Sequence, residues 1–186
     1  DSTRQAYKYN PGKARQLLAE AGYENGFTVE LWQSQNSEYN ELSEAFQAYY
    51  KEIGVDVKIV MTDFNLMLDA IRQGQPDMYY LNWWADYPDA ENFLFPLFHS
   101  SQARQRNRYA NPGVDSLIEA NQLMSDRNKR EKVAGKIERQ IIRDAPYVFL
   151  FHEITYEATQ PWVEGYEPSI VFSARKFLNI RLDHQE

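Results

Sequence analysis

Apolar positions along the chain switch repeatedly between two periods, and this switching predicts helices alternating with strands. Ala14, Leu17, Leu18 and Ala21 recur at helical spacing. Asn10-Pro11 supplies the start, with Asn as cap and Pro at the first helical position, and Gly22 supplies the stop. Phe27, Val29 and Leu31 alternate with Thr28 and Glu30, the period of a strand. A second helix carries Leu42, Phe46, Tyr49, Tyr50 and Ile53 on one face and stops at Gly54. Val55, Val57, Ile59 and Met61 alternate as the next strand. Asp63 caps a third helix whose stripe is Phe64, Met67, Leu68 and Ile71, and Gly74 ends it.

Met78 to Trp84 is a nearly unbroken apolar and aromatic run, which predicts a central strand covered on both faces. Pro88 then starts a short helix that Pro96 interrupts. Asn111-Pro112 repeats the earlier cap signature, followed by Val114, Leu117, Ile118 and Asn121 to Met124. Asp126 caps a further helix through Val133, Ile137 and Ile141 that ends before Pro146. Val148 to Phe151 and Ile154 to Ala158 read as two more strands, a candidate hairpin, and the segment from Pro161 onward is irregular. Helices interleaved with strands imply an α/β layer: a mixed sheet with helices packed on it. No repeat, low-complexity tract or long linker divides residues 1–186, so a single domain is expected.

Composition narrows the function classes. Of the 186 residues, 43% are hydrophobic and 15% aromatic, enough for a core and for an aromatic ligand surface. A formal net charge of −7 repels phosphate backbones and anionic lipid, which excludes nucleic acid and membrane surfaces as expected partners. Arg104, Arg106 and Arg108 form only a short cluster and read as a solvated loop. Without cysteine there is no disulfide, thiolate catalysis or Cys-based metal site. No stretch approaches the roughly 20 apolar residues that a span requires, so no membrane insertion is expected of this chain.

Motifs of catalysis are missing. His99, His152 and His184 lack metal-ligand spacing, and the sequence contains no GxSxG elbow, P-loop or GxGxxG. Neither a metal nor a cofactor is expected. Asp86, Asp89 and Glu91 crowd into a short run, which invites a paired-carboxylate hydrolase reading. The preferred reading is acids placed at a helix start, where the dipole favours them and solvent surrounds them. Asp86 itself is open to two roles, capping the helix that starts at Pro88 or presenting a carboxylate to a ligand.

Three stretches together resemble one family. The first is Tyr9-Asn10-Pro11-Gly12-Lys13-Ala14-Arg15-Gln16-Leu17-Leu18-Ala19-Glu20-Ala21-Gly22-Tyr23. The second is Trp83-Trp84-Ala85-Asp86-Tyr87-Pro88-Asp89, followed by Asn92-Phe93-Leu94 and Leu97-Phe98. The third is Arg108-Tyr109-Ala110-Asn111-Pro112-Gly113-Val114-Asp115, leading to Asp144-Ala145-Pro146-Tyr147. From about residue 7 to about residue 168 their order and spacing are similar to the C-terminal lobe of family 5 solute-binding proteins, the peptide-binding components of ABC importers. The resemblance implies a periplasmic-binding-protein-like (type II) fold. It also implies that residues 1–186 are one lobe of a two-lobe protein, without the N-terminal lobe, and that the tail 161–186 runs back toward that missing lobe.

The site follows from the same resemblance. In peptide-binding members the aspartate of Trp-x-Ala-Asp pairs with the ligand's α-ammonium group, and Asp86 occupies that place. Trp83 and Trp84 should face opposite sides of their strand; the family pattern makes Trp83 the pocket member and leaves Trp84 for the core. Tyr80 and Asn82 lie on the same strand, with Tyr80 where some oligopeptide binders hold an arginine for the ligand's carboxylate, and Tyr87 flanks the cleft. The implied function is solute capture for ABC-type import in the periplasm or at the cell exterior, there with a lipid anchor. The implied partners are a small peptide and a membrane permease. An oligosaccharide ligand stacked on Trp83, Trp84 and Tyr87 is the alternative within the family; a carboxylate-based hydrolase and a pure interaction module are the alternatives outside it.

Overall fold

The computed structural model describes residues 7–35, 40–103, 106–151, 154, 156–169, 171 and 177–183. The chain divides into two compact units, Asp1–Asn82 with Gln105–Asn107 and Trp83–Arg104 with Arg108–Glu186.

The first unit is built from βαβ crossovers. Strand β1 (Phe27–Ser34) pairs in parallel with β2 (Val55–Thr62) over its whole length, from Phe27 opposite Val55 to Ser34 opposite Thr62. Strand β3 (Met78–Tyr79) joins the other side of β1, giving the order β2-β1-β3. Parallel neighbours need long crossovers, and helices α2 (Asn40–Lys51) and α3 (Phe64–Gln73) supply them after α1 (Pro11–Glu20). The predicted caps are in place. Asn10 Oδ1 accepts from the Lys13 amide at 2.9 Å, and Asp63 Oδ1 accepts from the Asn65 amide at 2.8 Å. Gly74 closes α3 in the left-handed conformation at φ 69°.

Leu31, Val55 and Val57 centre the core of this unit, with Leu18, Val29, Phe46, Tyr50, Ile53 and Met78 packed around them. Two stripes are narrower than predicted, because Tyr49 on α2 and Phe64 on α3 are exposed. A polar group takes part of that interior instead. Ser43 of α2 is buried and donates to Gln33 of β1, which is also buried and donates in turn to Asn40 Oδ1 at 2.7 Å. Satisfying both ends of the Gln33 amide removes the cost of burying it.

The long central strand expected over Met78 to Trp84 is not formed. β3 spans two residues and lies at an edge, while β1 is central. After the Tyr80 amide donates to Trp32 O at 3.0 Å, residues 81–84 carry no strand pairing. An apolar run signals burial but does not itself supply a neighbour to pair with.

The second unit is mainly helical: α4 (Glu91–Phe98), α5 (Ser100–Ala103), α6 (Pro112–Gln122) and α7 (Arg127–Asp144). Leu94, Phe98, Val114, Ile118, Ile137 and Ile141 form its core. Burying side chains of this size contributes about 1.5–3 kcal/mol each, which holds α4, α6 and α7 together. Asn111 and Asp126 cap α6 and α7 as predicted. A polar clasp closes the far end of α7. Asp144 Oδ2 accepts from the Tyr109 hydroxyl at 2.6 Å and from Asn111 Nδ2 at 2.7 Å, and Oδ1 accepts from Gln140 Nε2 at 2.7 Å.

Three expectations for this unit are corrected. Helix α4 starts at Glu91, not at Pro88, and continues through Pro96. Val148 to Phe151 and the described residues of 154–158 form no strand; Phe151, Ile154 and Tyr156 are exposed and pair with no strand among the described residues. The segment expected to be irregular instead holds a short antiparallel pair, β4 (Val163–Glu164) with β5 (Arg181–Leu182). This is also where antiparallel pairing occurs, since the three-stranded sheet is parallel throughout. Arg104, His152 and His184 lie outside the described residues.

Candidate functional site

The loop Trp83 to Ala90 leads into α4, and two buried features hold it. Trp83 is half-buried and Ala85 buried, whereas Trp84 is 58% exposed and Asp86 is exposed. Burial thus alternates along the loop although no strand forms there. The order differs from expectation: Trp84, assigned to the core, is the exposed member of the pair, and Trp83 is the one turned inward.

Helix α4 explains why Trp83 turns inward. Pro96 has no amide hydrogen, so the carbonyl four residues before it, that of Asn92, is left without its helical donor. The indole Nε1–H of Trp83 donates to that carbonyl at 2.9 Å. The Asn92 side chain, in a residue only 6% exposed, accepts from the Asp86 amide at 3.0 Å.

The three clustered acids have different fates. Asp89 Oδ1 accepts from the Glu91 amide at 2.9 Å and forms an ion pair with Arg130 at 2.8 Å. Glu91 accepts from the Tyr87 hydroxyl and from Gln122 Nε2, the latter at 2.9 Å. The bond to Glu91 is the main cause that raises the Tyr87 hydroxyl above its ordinary pKa, with the Asn92 side chain opposing it. Both acids are therefore held by the protein itself and not merely solvated. Among the described residues, the Asp86 carboxylate has no hydrogen-bond or ion-pair partner. Nor does Asp86 cap a helix, since the first-turn amide of Glu91 is served by Asp89.

Of the predicted site residues, Trp83, Trp84, Asp86 and Tyr87 lie together on this loop, with Tyr87 exposed. Tyr80 and Asn82 belong to the other unit, where Tyr80 is half-buried and Asn82 exposed. Sequence reasoning placed Asn92 in a motif but gave it no role. Its position four residues before Pro96 was the available signal. No group of three metal-ligating side chains occurs among the described residues. His99 is buried against Phe95, Ser101 and Glu119. An open hollow of about 370 Å³ lies along the tail, lined by Glu164, Gly165 and Leu178 to Arg181, and contains none of the predicted site residues.

Asp86 thus stands on a loop fastened to α4 within the second unit. Comparison with known proteins identifies the family. Residues 1–105 match the family described as bacterial extracellular solute-binding proteins, family 5 Middle. The dipeptide-binding protein of Escherichia coli is 29% identical over 170 residues, 87% of this chain and 32% of its own length. Heme-binding protein A of Haemophilus influenzae is 31% identical over 188 residues, covering 96% and 34%. Among solved structures, the ABC transporter-associated periplasmic binding protein DppA from Helicobacter pylori, in complex with the peptide STSA, superposes with a TM-score of 0.80 at 26% identity. That match covers 98% of this chain and 36% of the other. The architecture is thus that of the periplasmic binding proteins of type II fold. The chain belongs to the family 5 bacterial extracellular solute-binding proteins. It spans about a third of the length of the relatives it matches.

Proposed function

We infer that the protein containing this chain captures short peptides through their free amino terminus and delivers them to an ABC-type permease. The observation that carries this reading is the Asp86 carboxylate, exposed and without a partner among the described residues, on a loop whose other two acids are engaged internally. An ammonium group offers it a full opposite charge and up to three donors. Trp84 and Tyr87 supply exposed apolar surface beside it, and Trp83 keeps part of its ring accessible. The peptide ligands named for the Helicobacter pylori relative and for the Haemophilus influenzae OppA complex with RPPGFSPFR support the same substrate class.

In this reading the chain forms one lobe of a two-lobe protein, and residues 161–186 lead back to the other lobe. The ligand bridges both lobes, and its preference for the closed arrangement shifts the hinge. The setting is the periplasm or the outer face of the cell. The relatives are binding proteins, and no helix among the described residues is long and apolar enough to cross a membrane.

The test is competitive capture by the full-length protein. An equimolar library of tri- to pentapeptides is mixed with its N-acetylated copy, and the bound fraction is read by mass spectrometry. Losing one partner of a desolvated charge pair costs about 2–5 kcal/mol, so the free-amine copy should be enriched by at least roughly thirtyfold. Equal capture of the two copies, or capture of neither, refutes the reading.

A further inference from the structure

We propose that Asn92 is the positioning residue of the Asp86 anchor, and that Pro96 enables it to act at both ends of the loop. This inference rests on the peptide-capture reading above. Asn92 has two acceptors facing the loop. Its side-chain Oδ1 takes the Asp86 amide at 3.0 Å, and its main-chain carbonyl takes the Trp83 indole at 2.9 Å. The second bond depends on Pro96, because any other residue there would bring an amide to compete for the Asn92 carbonyl. Between the two anchor points Ala85 is 7% exposed, so the loop packs down at its middle as well.

The consequence is directional. Trp83 and Asp86 are fixed through their N–H groups, which leaves the exposed Asp86 carboxylate with no partner among the described residues. A carboxylate held by its backbone forms an ion pair without first losing the freedom of a mobile loop, and such ordering costs affinity. Asn92 touches no ligand in this scheme. It decides where the charge sits.

The test uses the full-length protein and the same competing peptide libraries. Asp86→Ala sets the benchmark by abolishing the free-amine preference. Asn92→Ala, which leaves the Asp86 amide unsatisfied, is expected to lower the preference about tenfold while capture of acetylated peptides stays within about twofold. A merely structural role would lower capture of both copies alike. Pro96→Ala keeps the Asn92 side chain and is the second variant, read alongside Asn92→Ala. It is expected to speed solvent exchange of the Trp83 indole N–H several-fold, with Trp83→Phe assigning that resonance, and to weaken the free-amine preference. An unchanged preference in Asp86→Ala overturns the peptide-capture reading. A lost preference in Asp86→Ala together with unchanged preferences in Asn92→Ala and Pro96→Ala overturns this inference alone.

Discussion

The clasp at the end of α7 permits a quantitative test of how the third motif holds together. Asp144 takes three hydrogen bonds, and the Tyr109 hydroxyl at 2.6 Å is the first cause of its lowered pKa. Tyr109 in turn is half-buried, edge-on to Phe98, and its own pKa is raised by burial and then by the Asp144 bond. Replacing Tyr109 with Phe keeps the ring and removes that bond. A hydrogen bond to a charged group contributes about 1.5–3 kcal/mol net. Asp144 is exposed, and solvent screening brings the figure down to about 1 kcal/mol.

In native-state hydrogen exchange of the full-length protein, Tyr109→Phe should therefore speed opening of the last turn of α7 and the first turn of α6 about fivefold at pH 7. The pH dependence follows from the direction of the Asp144 shift. A carboxyl depressed in the folded state adds stability above its unfolded pKa of about 3.9, and that contribution is lost as pH falls through the lower folded value. Wild type and variant should thus converge once pH has fallen below the depressed Asp144 value. At the alkaline end the raised Tyr109 pKa gives stability that is fully present below its unfolded value of about 10 and is lost progressively as pH rises from there through the higher folded value, a dependence the variant lacks. Equal exchange rates at pH 7, or a difference that persists unchanged into acid, would refute the assignment of the clasp.

Two further predictions concern the first unit and the loop. Gly26 has φ +72°, and a Cβ there would meet Gly54 O at 1.9 Å, so Gly26→Ala should destabilise the protein by at least about 3 kcal/mol in chemical denaturation; a change under about 0.5 kcal/mol would contradict the close approach of the β1 and β2 starts. Trp84 is 58% exposed, so Trp84→Ala should leave stability within about 0.5 kcal/mol while reducing capture of peptides. A large loss of stability would instead return Trp84 to the core.

Local chemistry carried most of what the sequence showed. Asn10, Asp63, Asn111 and Asp126 each cap the helix expected of them, because a cap involves only residues two or three apart. The alternation in Phe27 to Leu31 and in Val55 to Met61 likewise gave two strands, though not their parallel register. Failures came where the outcome depends on distant partners. The aromatic run after Met78 looked like a buried strand, yet Trp83 is turned inward by a carbonyl on α4. Asp89 looked solvated until Arg130, 41 positions away, paired with it. The exposed apolar residues from Val148 to Tyr156 have strand-like composition but form no strand. Asp86 was singled out by its motif; that, of the three acids, it alone has no partner among the described residues is visible only in three dimensions.

The central claim is that the Asp86 charge recognises a ligand's amino terminus, and a thermodynamic cycle on the full-length protein tests it most directly. Affinities of one captured peptide and its N-acetylated form are measured by calorimetry for wild type and for Asp86→Asn, which keeps the shape and removes the charge. The account predicts that acetylation weakens wild type by about 2–5 kcal/mol and that most of this penalty vanishes in the variant. An acetylation penalty that is the same in both proteins would contradict it.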